Sequence, residues 1–259
     1  MTFYIFGEGK TEKILVHRLT DDKVANKINL NLPSKPLFIG TGGKYDSVNK
    51  ISERLEPELS PFQKVRCVIL ADRDAGDTTE SIREKYENGF CKILEESGYK
   101  TELSFQFLHG WNNILTLATF PPDLPDLRIA LHIAEPPPLP ISEDQISDSA
   151  ATDGYILAAA LTKRVLTRFA QKAGMTQEKL LNKITREIPD LMRRNGIERL
   201  DSKDFISAYM TAARFLKISR SEDVSTFAEI VISRAIKREP DAFKEIFAST
   251  LEAFRCVTA

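Results

Sequence analysis

The residues with the clearest capacity for chemistry are acids that follow apolar runs. Phe3-Tyr4-Ile5-Phe6 leads into Gly7-Glu8-Gly9-Lys10-Thr11-Glu12, and Val65–Ala71 leads into Asp72-Arg73-Asp74. An open parallel sheet delivers side chains in this way to the carboxyl ends of its strands, the edge where α/β proteins bind ligands. Carboxylates gathered there repel one another unless a cation lies among them, so the pattern predicts a divalent-metal site. Gly7 and Gly9 let the chain turn on either side of Glu8 without a side-chain clash. Glu12, four residues beyond Glu8, lies about one helical turn on and is expected to lean back toward the same edge. In a continuing strand Asp72 and Asp74 would share a face. Such a set of carboxylates suits Mg²⁺ or Mn²⁺. With two ions it could activate water and stabilise the leaving oxygen of a phosphoryl transfer.

The elements that must position these acids follow from periodicity. A buried strand is predicted at 2–7, then an amphipathic helix over Thr11–Leu19, with Thr11 as its cap and Ile14, Leu15 and Leu19 on its apolar face. A second strand is expected at Pro36–Gly40, running into Gly40-Thr41-Gly42-Gly43-Lys44, and a helix from Asp46 to Leu55. Val65–Ala71 is the third strand, followed by a charged helix over Thr78–Ser97 with Gly98 as its C-cap. Glu102–Leu108 and Arg128–Ala134 read as fourth and fifth strands. Alternating strands and helices imply right-handed crossovers and a mainly parallel, Rossmann-like sheet flanked by helices. The stiff run Pro136-Pro137-Pro138-Leu139-Pro140 and the acidic stretch after it break this pattern. The division expected is an α/β domain over 1–135, a Pro-rich linker over 136–150, and an all-α domain over 151–259. Helices are predicted there at Tyr155–Ala173, Gln177–Asn195, Lys203–Phe215, Val224–Lys237 and Ala242–Phe254.

A chain of 259 residues that is 42% hydrophobic can bury a proper core, and it contains no apolar run long enough to span a membrane. The N-terminus lacks the basic flank and cleavage pattern of a signal peptide. Cys67, Cys91 and Cys256 are odd in number and widely spaced, as expected of reduced cytoplasmic thiols. The net charge of −1 conceals an asymmetry. Residues 1–150 carry 17 Lys and Arg against 23 Asp and Glu, whereas residues 151–259 carry 19 against 14. An acidic half for metal and a basic half for phosphate backbone would produce this division, as would ordinary surface variation.

The motif Gly7-Glu8-Gly9-Lys10-Thr11-Glu12 with Asp72-Arg73-Asp74 resembles the TOPRIM domain of topoisomerases, primases and OLD-type endonucleases. That family carries a glutamate after its first strand and an Asp-x-Asp after its third. The resemblance covers about residues 1–110, and reaches 157 if the late acid Asp153 is included. It implies that Glu8 is a metal ligand and general acid or base, with Asp72 and Asp74 as metal ligands. In the nuclease branch a second acid on the first helix also binds metal, and Glu12 matches it. Some members carry a further acid after a late strand; the nearest match is Asp153 in Thr152-Asp153-Gly154-Tyr155-Ile156-Leu157, where Asp stands in place of Glu and helix capping is a simpler role. The resemblance thus implies a cytoplasmic, Mg²⁺-dependent nuclease of DNA repair or phage defence. Its partner would be nucleic acid, DNA ahead of RNA. The chain lacks the ATPase domain of many OLD-type nucleases, so any ATP-driven step would need a partner ATPase.

Other residues are candidates for contacts to nucleic acid: Lys10, Lys44 in the glycine turn, His109 after the fourth strand with Trp111 beside it, and Arg193 and Arg194, with Arg214, Lys217 and Arg220, in the helical half. Two alternative readings stay open. A non-catalytic nucleic-acid or protein binding module could keep the acids without the reaction. Gly9-Lys10-Thr11 also echoes a P-loop NTPase, but Tyr4 stands where that motif needs its first glycine.

Overall fold

Strand β1 (Thr2–Gly7) buries every residue from Phe3 to Phe6, and β3 (Lys64–Ala71) buries every residue from Val65 onward. Strands covered on both faces read as continuous apolar runs, and these two lie side by side within the sheet. The computed structural model describes residues 1–32, 34–42, 47–60, 63–99, 103–141, 150–197, 200–214 and 223–258. Their first half follows the order β1, α1 (Lys10–Leu19), α2 (Asp22–Ile28), β2 (Leu37–Gly40), α3 (Ser47–Leu55), β3, α4 (Thr79–Glu96). Strands β4 (Gln106–Phe107), β5 (Ile114–Thr119) and β6 (Asp126–Ile133) follow.

The strands are arranged β2-β1-β3-β6-β5-β4. The pairs β1–β2, β1–β3 and β3–β6 are parallel, and β5 runs antiparallel to both β6 and β4. The sheet is therefore mixed. The mainly parallel expectation holds for the half that carries the acids and fails for the other, because β5 had not been anticipated. Ile114–Thr119 is a short segment next to a turn, and it forms a hairpin with a two-residue edge strand in place of the longer strand expected at Glu102–Leu108. Helix α2 was also unexpected; Asp21 caps it by accepting from the Lys23 amide at 3.0 Å.

The chain divides into two compact units. The first comprises Met1–Arg73, Asp77–Ala134 and Ala248–Ala259; the second comprises Asp74–Gly76 and Glu135–Phe247. In the first unit, Tyr4, Phe6, Cys67 and Ile69 on one face of the sheet pack with Ile82, Tyr86, Phe90 and Ile93 of α4. Helix α12 (Ala248–Cys256) packs on β6 in the same unit, and the Phe254 ring meets Phe3 edge-on at 6.5 Å. At the amino ends of the strands, Arg66 is buried and paired with Asp126 at 2.7 Å, and this hydrogen bond holds the Asp126 carboxyl below its usual range.

The second unit is helical apart from its extended segments: α5 (Thr152–Leu161), α6 (Lys163–Ala173), α7 (Gln177–Asn182), α8 (Ile188–Arg194), α9 (Ser202–Ala212), α10 (Val224–Arg238) and α11 (Pro240–Ile246). The helix predicted over Tyr155–Ala173 is broken at Thr162, whose ψ of 148° leaves the helical region. A wide π turn at Lys183–Glu187 joins α7 to α8, whose second residue, Pro189, cannot donate its share of a regular helical ladder. Phe169, Tyr209 and Phe227 form the aromatic centre of this unit, with ring centroids 5.3–5.9 Å apart. Among the described residues no helix is long and apolar enough to cross a membrane.

The face of β6 beneath α12 carries a buried histidine. His132 Nε2 lies 2.9 Å from Ser249 Oγ, and burial pushes its pKa from an ordinary 6.5 down to about 4. Above pH 6.5 both folded and unfolded chains hold it neutral. As pH falls toward 4 the unfolded chain takes up a proton that the folded one refuses, so stability is lost across that window. The loss approaches about 3 kcal/mol. Denaturant titrations at pH 7 and pH 4 should therefore show a smaller drop in stability for His132→Gln than for the natural protein; equal drops would refute this role.

Candidate functional site

Parallel pairing of β1 with β3 sets Gly7 opposite Leu70. Glu8 therefore lies level with Ala71, and Asp72 leaves the neighbouring strand one residue further on at the same edge, the two strands being roughly 5 Å apart. Both are half-buried. Only Glu8 and Gly9 separate β1 from α1, a connection too short to wrap a nucleotide's phosphates as a P-loop does. The turn is tight enough to demand glycine. A Cβ on Gly7 would fall 2.9 Å from Glu12 Cβ and 3.1 Å from the Phe38 ring.

Helix α1 begins one residue earlier than expected, with Gly9 and not Thr11 at its cap. Glu12, buried at 4% exposure, turns its Oε2 back to accept the Gly9 amide at 2.8 Å. This is the glutamate half of a capping box, satisfying one of the helix's orphan donors. Strand β3 stops at Ala71, so Asp72 and Asp74 do not share a face of a continuing strand. Asp74 is exposed and its segment groups with the helical unit. Among the described residues no three or more His, Cys, Asp or Glu side chains form a group that could hold a metal ion.

Glu8 and Asp72 meet electrostatically at Tyr86. Burial first, then the negative charges of Glu8 and Asp72, push this phenol up to about 12. Its hydroxyl donates to Ser47 Oγ at 3.4 Å, and Lys85 Nζ donates to the same oxygen at 3.1 Å. Sequence reasoning missed Ser47, Lys85 and Tyr86. One signal was available: a right-handed β3–α4 crossover returns the first turns of α4 beside the carboxyl edge, which brings residues 79–86 near whatever follows β3.

The glycine turn after β2 is also tied to this edge. Thr41 donates both its amide, at 2.9 Å, and its hydroxyl, at 3.3 Å, to the Gly7 carbonyl. Gly42 has φ of +71°, and a Cβ there would lie 2.5 Å from Lys50 Nζ. Lys50 of α3 is thus the lysine brought to this turn; Lys44 lies outside the described residues, as do Phe215, Lys217 and Arg220 of the helical half. Lys10 is exposed at the first position of α1. His109 is exposed in the turn after β4, on the same edge but three strands from β3, roughly 14 Å across the sheet. Trp111 closes that turn through a 2.9 Å hydrogen bond to the Leu108 carbonyl.

The remaining candidates belong to the helical unit. Asp153 is buried in the first turn of α5 with Lys203 Nζ 4.0 Å away, and Ala151, not Asp153, occupies the cap position. Arg193 is half-buried and paired with Asp190 of its own helix, while Arg194 is exposed.

No family model matches the chain, and no curated protein matches it. Among solved structures it is similar to a hypothetical protein from Pyrococcus horikoshii OT3, at 13% identity and a TM-score of 0.53, over 98% of this chain and 100% of the other. At that identity the likeness establishes a shared fold: a mixed sheet flanked by helices, followed by a largely helical C-terminal region.

The packing around Gly7 has a direct consequence. Gly7→Ala forces apart the Cβ of Glu12 and the ring of Phe38, and should cost about 1–3 kcal/mol in denaturant unfolding. An alanine variant as stable as the natural protein would show that the β1–α1 turn can open.

Proposed function

We propose that the chain is a Mg²⁺- or Mn²⁺-dependent, TOPRIM-like nuclease acting on nucleic-acid phosphodiester bonds, with Glu8 and Asp72 at its centre. The observation that carries this reading is the departure of these two carboxylates from adjacent parallel strands at the ligand-binding edge of the sheet. Mg²⁺ is commonly held by one or two carboxylates, completed by water and substrate phosphate, and Glu8 with Asp72 fits that requirement. Bound there, the ion would supply Lewis-acid polarisation of a phosphoryl oxygen. Glu12 and Asp74 are further ligands only if Glu12 releases the Gly9 amide and the exposed Asp74 turns toward the edge.

The other residues suit a phosphate-bearing substrate. Lys85 and Lys50 supply positive charge, and Tyr86, whose pKa is raised, keeps its proton at working pH and can act as a hydrogen-bond donor but not as a base. Lys10 at the start of α1 is suited to a backbone contact. His109, Arg193, Arg194 and Asp153 remain peripheral candidates. DNA ahead of RNA, a role in repair or phage defence and a partner ATPase rest on the resemblance alone, and a cytoplasmic setting on the cysteine usage. A second reading, a binding module without catalysis, is favoured by the engagement of Glu12 with its own helix.

Incubation of the protein with plasmid, single-stranded DNA and RNA, with and without Mg²⁺ or Mn²⁺, separates these readings. Metal-dependent cleavage that falls at least about 100-fold in both Glu8→Gln and Asp72→Asn is the expected result. Cleavage equal in all three proteins would mark a contaminant and sink the proposal. Binding of nucleic acid without cleavage, and without a metal-dependent rise in Tm, would establish the binding module.

A further inference from the structure

A second site lies wholly within the helical unit, where α6 packs against α10. Arg164, Arg168 and Lys172 recur every fourth residue along α6, as do Arg234 and Arg238 along α10. Four residues advance about 6 Å along a helix, a step comparable to that between successive phosphates of a nucleic-acid strand. The guanidinium of Arg234 stacks over the Phe169 ring at 4.5 Å, which fixes its plane. Its Nη1 is buried and has no hydrogen-bond partner. Among the described residues no carboxylate pairs with Arg168, Arg234 or Arg238. Burial and then the positive charge of Arg168 depress the pKa of Arg234, with Arg238 adding to the effect, so these cations repel one another across the helix pair. Glu239, which follows Arg238, is already committed: its Oε2 accepts the backbone amides of Arg164 at 2.9 Å and Val165 at 3.3 Å.

Mutually repelling arginines without acids are an arrangement that an anion relieves. Planar guanidinium forks match phosphate oxygens in pairs, which a lone ammonium cannot do. We propose that Arg168, Arg234 and Arg238, extended by Arg164, form a binding site for the phosphate backbone of nucleic acid. The choice of nucleic acid over another polyanion rests on the phosphodiester reading of the sheet unit; the site's geometry does not. Arg193 and Arg194, singled out by adjacency in sequence, are less suited, because Arg193 already holds Asp190.

The test measures binding apart from cleavage. Fluorescence anisotropy with a labelled DNA oligonucleotide in EDTA, over a range of salt, compares the natural protein with Arg168→Ala/Arg238→Ala and with Arg234→Lys, which keeps the charge but loses the fork. Lys179→Ala, an exposed lysine elsewhere in the unit, controls for lost charge, and thermal melts confirm folding. The double variant should bind about tenfold more weakly at low salt, with a salt slope shallower by about two. Arg234→Lys should weaken binding with little change in slope. Unchanged affinity in the double variant would overturn the inference, as would an equal loss per charge in Lys179→Ala. Equally effective competition by polyglutamate and by unlabelled DNA would also overturn it. Binding is read in EDTA, where metal-dependent cleavage is silent; a protein that binds through these arginines yet does not cleave with Mg²⁺ or Mn²⁺ would refute the nuclease reading and leave this site standing.

Discussion

The parallel pairing of β1 with β3 is the constraint on which the site depends. Phe3 to Phe6 and Val65 to Ala71 are buried on both faces of the sheet, so neither strand can slip by a residue without exchanging the side chains of its two packed faces. With Gly7 held opposite Leu70, the first acid beyond each strand emerges at the same edge, Asp72 one residue further along than Glu8. Apolar burial of the strands and of α4 holds this edge of the sheet in place.

Around that pair the structure divides labour between acids that are held for the edge and acids that serve the fold. Glu12 completes the amino end of α1, and Asp126 locks Arg66 at the opposite end of the strands. Glu8 and Asp72 are the two whose charges reach Tyr86 together, and Lys85 and Ser47 stand beside that phenol. In the helical unit the same sorting applies to the basic residues. Arg193 is spent on Asp190, whereas Arg234 lies over Phe169 without an acid. Counting charges along the chain does not separate these cases, because the partner that neutralises a group is a matter of position.

The parallel half of the fold was legible because each strand there is a continuous apolar run followed by a glycine or acidic turn and a helix. The antiparallel half was not. Ile114–Thr119 is brief and close to a turn, and β4 contributes only Gln106 and Phe107 to the sheet. Pairing of β5 with β4 and with β6 decided those elements, and residue type within the segments does not record it. The helices of the second unit were recognised as helical stretches, but their breaks at Thr162 and Phe247 were not, since neither position carries a glycine or proline. Gly174, in the left-handed conformation at the end of α6, was legible for the converse reason.

Alone, the sequence determined which acids follow strands β1 and β3, because strand burial leaves a pattern in residue type. The tertiary structure decided which of those acids meet. It set Glu8 beside Asp72, turned Glu12 back onto its own helix, left Asp74 on an exposed loop, and brought Lys85, Ser47 and Tyr86 to the same edge. Strand register and the β3–α4 crossover fix where the acids and α4 meet, through residues far apart in the chain, whereas the contact of Glu12 with the Gly9 amide spans only three residues.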